Sequence, residues 1–196
     1  MIKGLQLNLF EMKEEQLRDR LSWLLVHNVQ GKRNTEIEKV QLELLKKVVT
    51  RLSSKYDKNV VFDFDGWDTS KKANGWFLTF DGDIKLQSEG YNEWYDCKKL
   101  DAVLNATVDG KPFTLFFILK GVEHQGGHQR NVKQEIGGYS KAIQRNKDND
   151  THFFFVLDGT YINTRIEELD KCEKYDISTT NTIESVIENF IIKNLE

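Results

Sequence analysis

The sequence predicts an α/β fold of the α+β-like kind, a mixed β-sheet flanked by helices. Two observations lead to this prediction. Apolar residues first recur with a helical period, and after Lys58 they change to short β-rich segments separated by Asp-Gly pairs. Farther along, a hairpin pattern is followed by a helical segment and then by a continuous apolar run. That order is typical of a hairpin joined through a crossover helix to a parallel strand.

The composition is that of one folded domain. The chain has 196 residues, of which 39% are hydrophobic and 30% charged, enough to bury a core without disulfides or metals. No apolar run approaches the roughly 18 residues of a membrane span, and no signal-peptide cleavage site is evident, so we expect a cytoplasmic protein without a membrane partner. Cys97 and Cys172 lack metal-binding spacing and predict reduced thiols.

Residues 1–196 are interpreted as a single domain with three parts. N-terminal helices are expected over about 12–53, a core with most of the strands over about 59–160, and C-terminal helices over about 163–196. Thr35 is predicted to be the N-cap of the second helix.

Strands are predicted at residues 59–64, 75–80, 84–87, 101–108, 113–120 and 151–157. Asp109-Gly110 is a hairpin turn signal between the fourth and the fifth of them. A helix over about 131–145 separates this hairpin from the last strand, although two glycines inside it lower the helical propensity. The last strand is a continuous apolar run, which favours a buried parallel strand.

Two charged residues stand at the ends of the hairpin strands. Asp101 begins the first strand, and Lys120 ends the second on the same face as Phe116 and Ile118. An ammonium on an apolar face needs a partner, and Asp101 is a suitable one. In phosphodiester hydrolysis, Asp101 would bind Mg²⁺ and Lys120 would orient or activate the attacking water. A structural salt bridge is the alternative interpretation of the pair.

A magnesium site of this kind needs a second acid. Ile118, two positions before Lys120, cannot supply it. Three acids are candidates for that role: Glu123 in the following loop, Glu135 on the next helix, and Glu38 on the second N-terminal helix.

These residues give the chain a resemblance to the PD-(D/E)xK nuclease superfamily, and within it to the cleavage domains or small cleavage subunits of type IIS restriction endonucleases. Lys99-Leu100-Asp101 stands where the family has Pro-Asp, and Ile118-Leu119-Lys120 where it has acid-x-Lys. The order of elements from about Asn34 to Phe190 is similar as well. The resemblance implies a restriction-endonuclease-like core and a Mg²⁺-dependent DNA endonuclease. Its catalytic residues would be Asp101, Lys120 and Glu135, and its metal ligands Asp101, Glu135 and Glu38.

The departure from the family pattern at Ile118 has three interpretations. The acid has moved to the next helix, as in some restriction enzymes, and Glu135 fills its place. Alternatively, the chain is an engineered inactive variant. Thirdly, it is a naturally inactive nuclease fold retained for binding. The competing function is therefore a non-catalytic DNA-binding or assembly subunit.

A polar loop and the following helix are expected to contact DNA. The net charge of −3 provides no general attraction for phosphates, so contacts must be local or come from a partner. We expect phosphate contacts from five residues, namely His124, His128, Gln129, Arg130 and Lys133. Histidines facing solvent are the alternative. The expected partners are double-stranded DNA and either a second copy of the chain, forming a homodimer on DNA, or a partner subunit.

Overall fold

The computed structural model describes residues 8–28, 33–56, 60–63, 75–86, 97–123, 129–160 and 172–195. The helices are a short 3-10 helix at Leu9–Glu11, α1 (Glu14–Val26), α2 (Asn34–Tyr56), α3 (Gln129–Arg145) and α4 (Ile183–Leu195). The strands are β1 (Val60–Asp63), β2 (Trp76–Thr79), β3 (Ile84–Leu86), β4 (Cys97–Lys99), β5 (Ala102–Val108), β6 (Lys111–Gly121), β7 (Thr151–Asp158) and β8 (Tyr175–Ser178). None of the helices in these ranges is long and apolar enough to cross a membrane.

A five-stranded mixed sheet in the order β1-β5-β6-β7-β8 forms the centre of the fold. The pairs of β1 with β5 and of β5 with β6 are antiparallel, whereas β6, β7 and β8 run parallel. A smaller antiparallel sheet has the order β3-β2-β4. The predicted mixed α/β class is therefore confirmed. The sequence analysis missed β4 and β8, because no Asp-Gly turn signal marks either segment, whereas the equally short β3 follows Asp81-Gly82.

The hairpin and the crossover have the predicted form. Asp109 and Gly110 both have positive φ, 49° and 79°, as a two-residue turn between twisted antiparallel strands requires. The chain then passes through α3 and returns as β7, parallel to β6, with Lys120 in register with Leu157. All eight residues of β7 are buried, as its continuous apolar run predicts.

Helices cover both faces of the large sheet. On one face, α2 and α4 pack against a cluster that includes Phe117, Leu119 and Phe154. On the other face, α3 and two residues of β2 pack against a cluster that includes Phe116 and Ile118. Strand alternation thus places neighbouring residues of β6 on opposite faces, as predicted.

The start of α2 differs from the prediction. The helix begins at Asn34, so Thr35 lies inside its first turn and the N-cap assigned to Thr35 is wrong. Asn28, just after α1, explains the earlier start. Its side-chain oxygen accepts from the backbone N–H of Arg33 at 2.8 Å, and its amide donates to the Asn34 side chain at 2.8 Å. Of the predicted C-terminal helices, α4 is present, and the earlier one falls mainly on residues outside the described ranges.

Candidate active site

Lys120 lies within 4.0 Å of three carboxylates near the end of β6. Its Nζ is 3.5 Å from Oε1 of Glu135, 3.7 Å from Oε1 of Glu38 and 4.0 Å from Oδ2 of Asp101. The acids come from α3, from α2 and from the residue immediately before β5. The structure thus brings together the four residues that the sequence analysis proposed as catalytic residues or metal ligands.

A glycine lets α2 approach the end of β6 closely. A Cβ added at Gly121 would lie 2.5 Å from Cγ2 of Ile37 and 3.0 Å from Cδ2 of Leu25. Ile37 directly precedes Glu38, so the close approach places this acid beside Lys120. A larger residue at Gly121 would force the Ile37 side chain, next to Glu38, to shift.

Asp101 is held in place by hydrogen bonds to β6. Its backbone N–H donates to the Phe117 carbonyl at 3.0 Å, and its Oδ2 accepts from the Leu119 N–H at 2.8 Å. Two residues earlier, the Lys99 carbonyl accepts a hydrogen bond from the Tyr139 hydroxyl of α3. The carboxylate is thereby oriented by the backbone before any ligand arrives.

A buried glutamine supports the backbone of Lys120. Gln41 is fully buried, and its Nε2 donates to the Lys120 carbonyl at 3.0 Å and to Oδ2 of Asp158 at 2.8 Å. Asp158 in turn accepts two hydrogen bonds at 3.0 Å from the backbone N–H and the hydroxyl of Thr180. The sequence analysis assigned no role to Gln41. Its signal was a polar residue on an otherwise apolar helix face, three residues after Glu38.

The cluster is partly shielded from water, and this shifts its pKa values. Burial and the neighbouring Asp101 and Glu135 raise the pKa of Glu38 to about 7, although Lys120 opposes the shift. Burial also raises the pKa of Asp101, against the opposing effects of Lys120 and the Leu119 N–H. For Lys120, burial lowers the pKa, but the three carboxylates outweigh burial and raise it above its ordinary value. Lys120 is therefore charged at neutral pH, and Glu38 holds its proton to a higher pH than an ordinary glutamate does.

This arrangement suits proton transfer beside a fixed positive charge. A carboxylate with a pKa near the working pH is well matched to accept a proton from a bound water. A shielded ammonium stabilises negative charge that develops on a phosphate. The side chains of Glu38 and Glu135 remain 36% and 27% exposed, so the cluster can be reached from solvent.

The pKa of Glu38 predicts a loss of stability as the pH rises. Between its ordinary value of 4.5 and about 7, the folded protein holds more protons at Glu38 than the unfolded chain does. The free energy of unfolding therefore falls across this window, and we expect Glu38→Gln to reduce the fall measured by urea denaturation between about pH 5 and pH 8. The groups facing Glu38 are Lys120, Asp101, Glu135 and, more weakly, Lys99.

Glu36→Gln is the matched control for this measurement, because Glu36 is an exposed acid of the same helix. Asp101→Asn should also flatten the profile, since its pKa is raised as well. Parallel profiles for wild type and Glu38→Gln would contradict the prediction.

The donor chemistry of the cluster suits Mg²⁺. Carboxylate oxygens are the ligands that this hard cation prefers, and it usually takes one or two of them and keeps several waters. Asp101 and Glu135 both raise the pKa of Glu38, and a bound cation would relieve that repulsion. Across the parts of the chain that the structure describes, no three His, Cys, Asp or Glu residues form a group that could hold a metal ion. The three carboxylates are directed at the Lys120 ammonium and do not surround a common point where a cation could sit.

The other sequence candidates have different surroundings. The carboxylate of Glu123 accepts from the Thr160 backbone N–H at 3.0 Å and from the Thr160 hydroxyl at 2.7 Å, so this acid is directed to the segment after β7. Ile118 is fully buried in the apolar cluster beneath α3.

The predicted DNA-contact residues lie at the edge of what the structure describes. His124 and His128 fall outside the described ranges. Gln129, Arg130 and Lys133 belong to the first turns of α3, close in sequence to Glu135, and their side chains are outside the description. Their contacts with DNA stay a prediction.

Comparisons of the chain with models of protein families, with curated proteins and with solved structures find no match. The nuclease resemblance therefore stays a prediction from the sequence motifs.

Proposed function

We propose that the protein is a Mg²⁺-dependent endonuclease that hydrolyses phosphodiester bonds of double-stranded DNA, with a restriction-endonuclease-like core. The observation that carries the proposal is the convergence of Glu38, Asp101 and Glu135 within 4.0 Å of the Lys120 ammonium. Three acids from separate elements around one shielded lysine are the groups that metal-assisted hydrolysis uses.

Each residue of the cluster has a role in this proposal. Asp101 and Glu135 would hold Mg²⁺, with Glu38 as a further ligand or a proton acceptor, and the metal would supply Lewis-acid stabilisation of the phosphate. Lys120 orients the attacking water by donating a hydrogen bond. As the water oxygen bonds to phosphorus, its proton passes to Glu38 and the bond from phosphorus to the leaving sugar oxygen breaks. The leaving oxygen takes a proton from solvent.

Glu135 fills the position that Ile118 leaves without an acid. Its Oε1 is 3.5 Å from Lys120, the shortest of the three distances. Glu135 belongs to the same helix as the predicted phosphate contacts Gln129, Arg130 and Lys133, so DNA held by that end of α3 lies near the acid. Cutting both strands of a duplex usually takes two such sites, which fits pairing with a second copy or a partner subunit.

Glu135→Gln is expected to reduce plasmid cleavage by about 100-fold or more, because it removes a metal ligand and keeps the side-chain volume. Supercoiled plasmid should be nicked or linearised with Mg²⁺ or Mn²⁺, and EDTA should stop the reaction. Glu188→Gln is the matched control, since Glu188 is an acid of α4 that pairs with Lys55, away from the cluster. Undiminished cleavage by Glu135→Gln would contradict the migrated-acid interpretation.

A non-catalytic DNA-binding or assembly subunit is the second candidate, and one observation favours it. Lys120 compensates charge on all three carboxylates, as the cation of a structural ion-pair network does. Under this alternative, the wild-type protein would bind DNA without nicking it at any protein concentration, with either metal.

A further inference from the structure

A cleft lies at the opposite end of β7 from the Lys120 cluster. It has a volume of about 360 Å³ and is bordered by the first residues of β7 and β8, by the start of β6 and by α4. Lys120 is in register with Leu157 near the end of β7, whereas His152 in the cleft is the second residue of that strand. The length of the strand therefore separates this cleft from the candidate active site.

Three rings lie at the base of the cleft, and each is buried with less than a tenth of its surface exposed. The His152 ring lies 4.7 Å from the Phe190 ring, and Phe113 meets Phe190 edge to face at 5.2 Å. His152 is nearly buried, and its Nε2 lies 2.9 Å from Oδ2 of Asp176, which fixes the orientation of the imidazole. A planar ring placed here would contact the exposed parts of these ordered rings.

The lining of the cleft is rich in ammonium groups. Lys111, Lys174 and Lys193 line it, against the two acids Glu173 and Asp176. Asp176 is engaged by His152, and Lys174 is held in place by the Asp148 carbonyl at 2.7 Å. The ammonium of Lys111 lies 4.8 Å from the Phe113 ring centroid, so it joins the charged part of the lining to the aromatic part.

We propose that this cleft binds a small phosphate monoester that carries a planar ring, of the size and chemistry of a mononucleotide. The volume is at the lower end of the range for small-molecule sites. The aromatic side accommodates the ring, and the lysines neutralise the phosphate. The cleft shares no residue with the Lys120 cluster, so this binding does not depend on the proposed nuclease activity.

Titration of the purified full chain with AMP and GMP, followed by calorimetry and by NMR of the His152 ring, tests the proposal. A mononucleotide should bind with a dissociation constant below about 1 mM, and should bind more tightly than either adenosine or inorganic phosphate. Lys193→Ala and Lys111→Ala should each weaken binding by about fivefold, as expected for partly exposed ion pairs. Both lysines are exposed, so neither change should impair folding.

Lys141→Ala is the matched control, since Lys141 is an exposed lysine of α3 that does not line the cleft. Equal affinity for inorganic phosphate and AMP would overturn the role of the ring, and equal affinity for adenosine and AMP would overturn the role of the phosphate. Binding that is unchanged in both lysine variants, or absent at millimolar ligand, would overturn the site itself. Plasmid cleavage is not the readout, so these outcomes are separable from failure of the nuclease proposal.

Discussion

Lys120→Met is expected to lower the rate of metal-dependent DNA cleavage by about 100-fold to 1,000-fold, the range seen when one charge-stabilising group is removed from an active site. Methionine keeps the length and the apolar stem of the side chain but removes the ammonium. Among the ion pairs of the described residues, only this ammonium lies within 4.0 Å of all three carboxylates, those of Glu38, Asp101 and Glu135. Single-turnover cleavage of a plasmid at saturating protein measures the effect on the chemical step.

The same substitution should also make stability more sensitive to pH. Without Lys120, the three carboxylates repel one another, and Glu38 loses the positive neighbour that opposes the rise of its pKa. We therefore expect Lys120→Met to be less stable than wild type at pH 8, with a smaller difference at pH 5, where Glu38 is protonated in both proteins. Urea denaturation at the two pH values measures this difference.

Lys120→Arg separates the two roles of the lysine. Arginine keeps the positive charge, but its planar guanidinium presents donors in a different geometry. We expect Lys120→Arg to preserve most of the stability and to lose cleavage. If Lys120→Met cleaves DNA as fast as wild type, the lysine is an ion-pair partner only and its assigned role in cleavage fails.

Ile118→Asp is expected to destabilise the fold by about 3 kcal/mol or more, because it exchanges apolar packing for a buried carboxylate. Ile118 is 0% exposed and packs with residues of β5, α3 and β7, including Val103, Ile136 and Phe155. Ile118→Val is the matched control and should cost only about 0.5–1.5 kcal/mol. The free energy of unfolding from urea denaturation distinguishes the two variants.

Cleavage by the same variants distinguishes the interpretations of the missing acid. If Glu135 supplies the second carboxylate, Ile118→Asp does not increase cleavage. A clear gain of cleavage in Ile118→Asp would instead indicate a site whose acid was lost or replaced at that position. Combining Ile118→Asp with Glu135→Gln provides a further check, because rescue of cleavage requires that a carboxylate at 118 can reach the metal.

The hairpin and its flanking elements could be predicted because their signals are local. Asp109-Gly110 specifies a two-residue turn through its positive φ values, and strand alternation then places Lys120 and Leu119 on opposite faces. The continuous apolar run of β7 indicated a strand buried on both faces. By contrast, β4 and β8 have no such turn signal beside them, and their places in the sheets follow from pairing with β2 and β7.

The sequence by itself determined the mixed sheet, the positions of Asp101 and Lys120 on adjoining segments, and a set of three acids that could complete their site. Only the tertiary structure decided among those acids. Glu38 and Glu135 reach Lys120 because α2 and α3 cover opposite faces of the sheet and each brings one acid to the end of β6. Glu123, the nearest of them in sequence, instead binds Thr160.

The distance between Lys120 and an acid on a helix depends on how closely that helix packs on the sheet. For Glu38, the close packing depends on Gly121, which has no side chain to collide with Ile37. The pKa of Glu38 depends on the same packing, because burial and the neighbouring charges exist only in the folded chain.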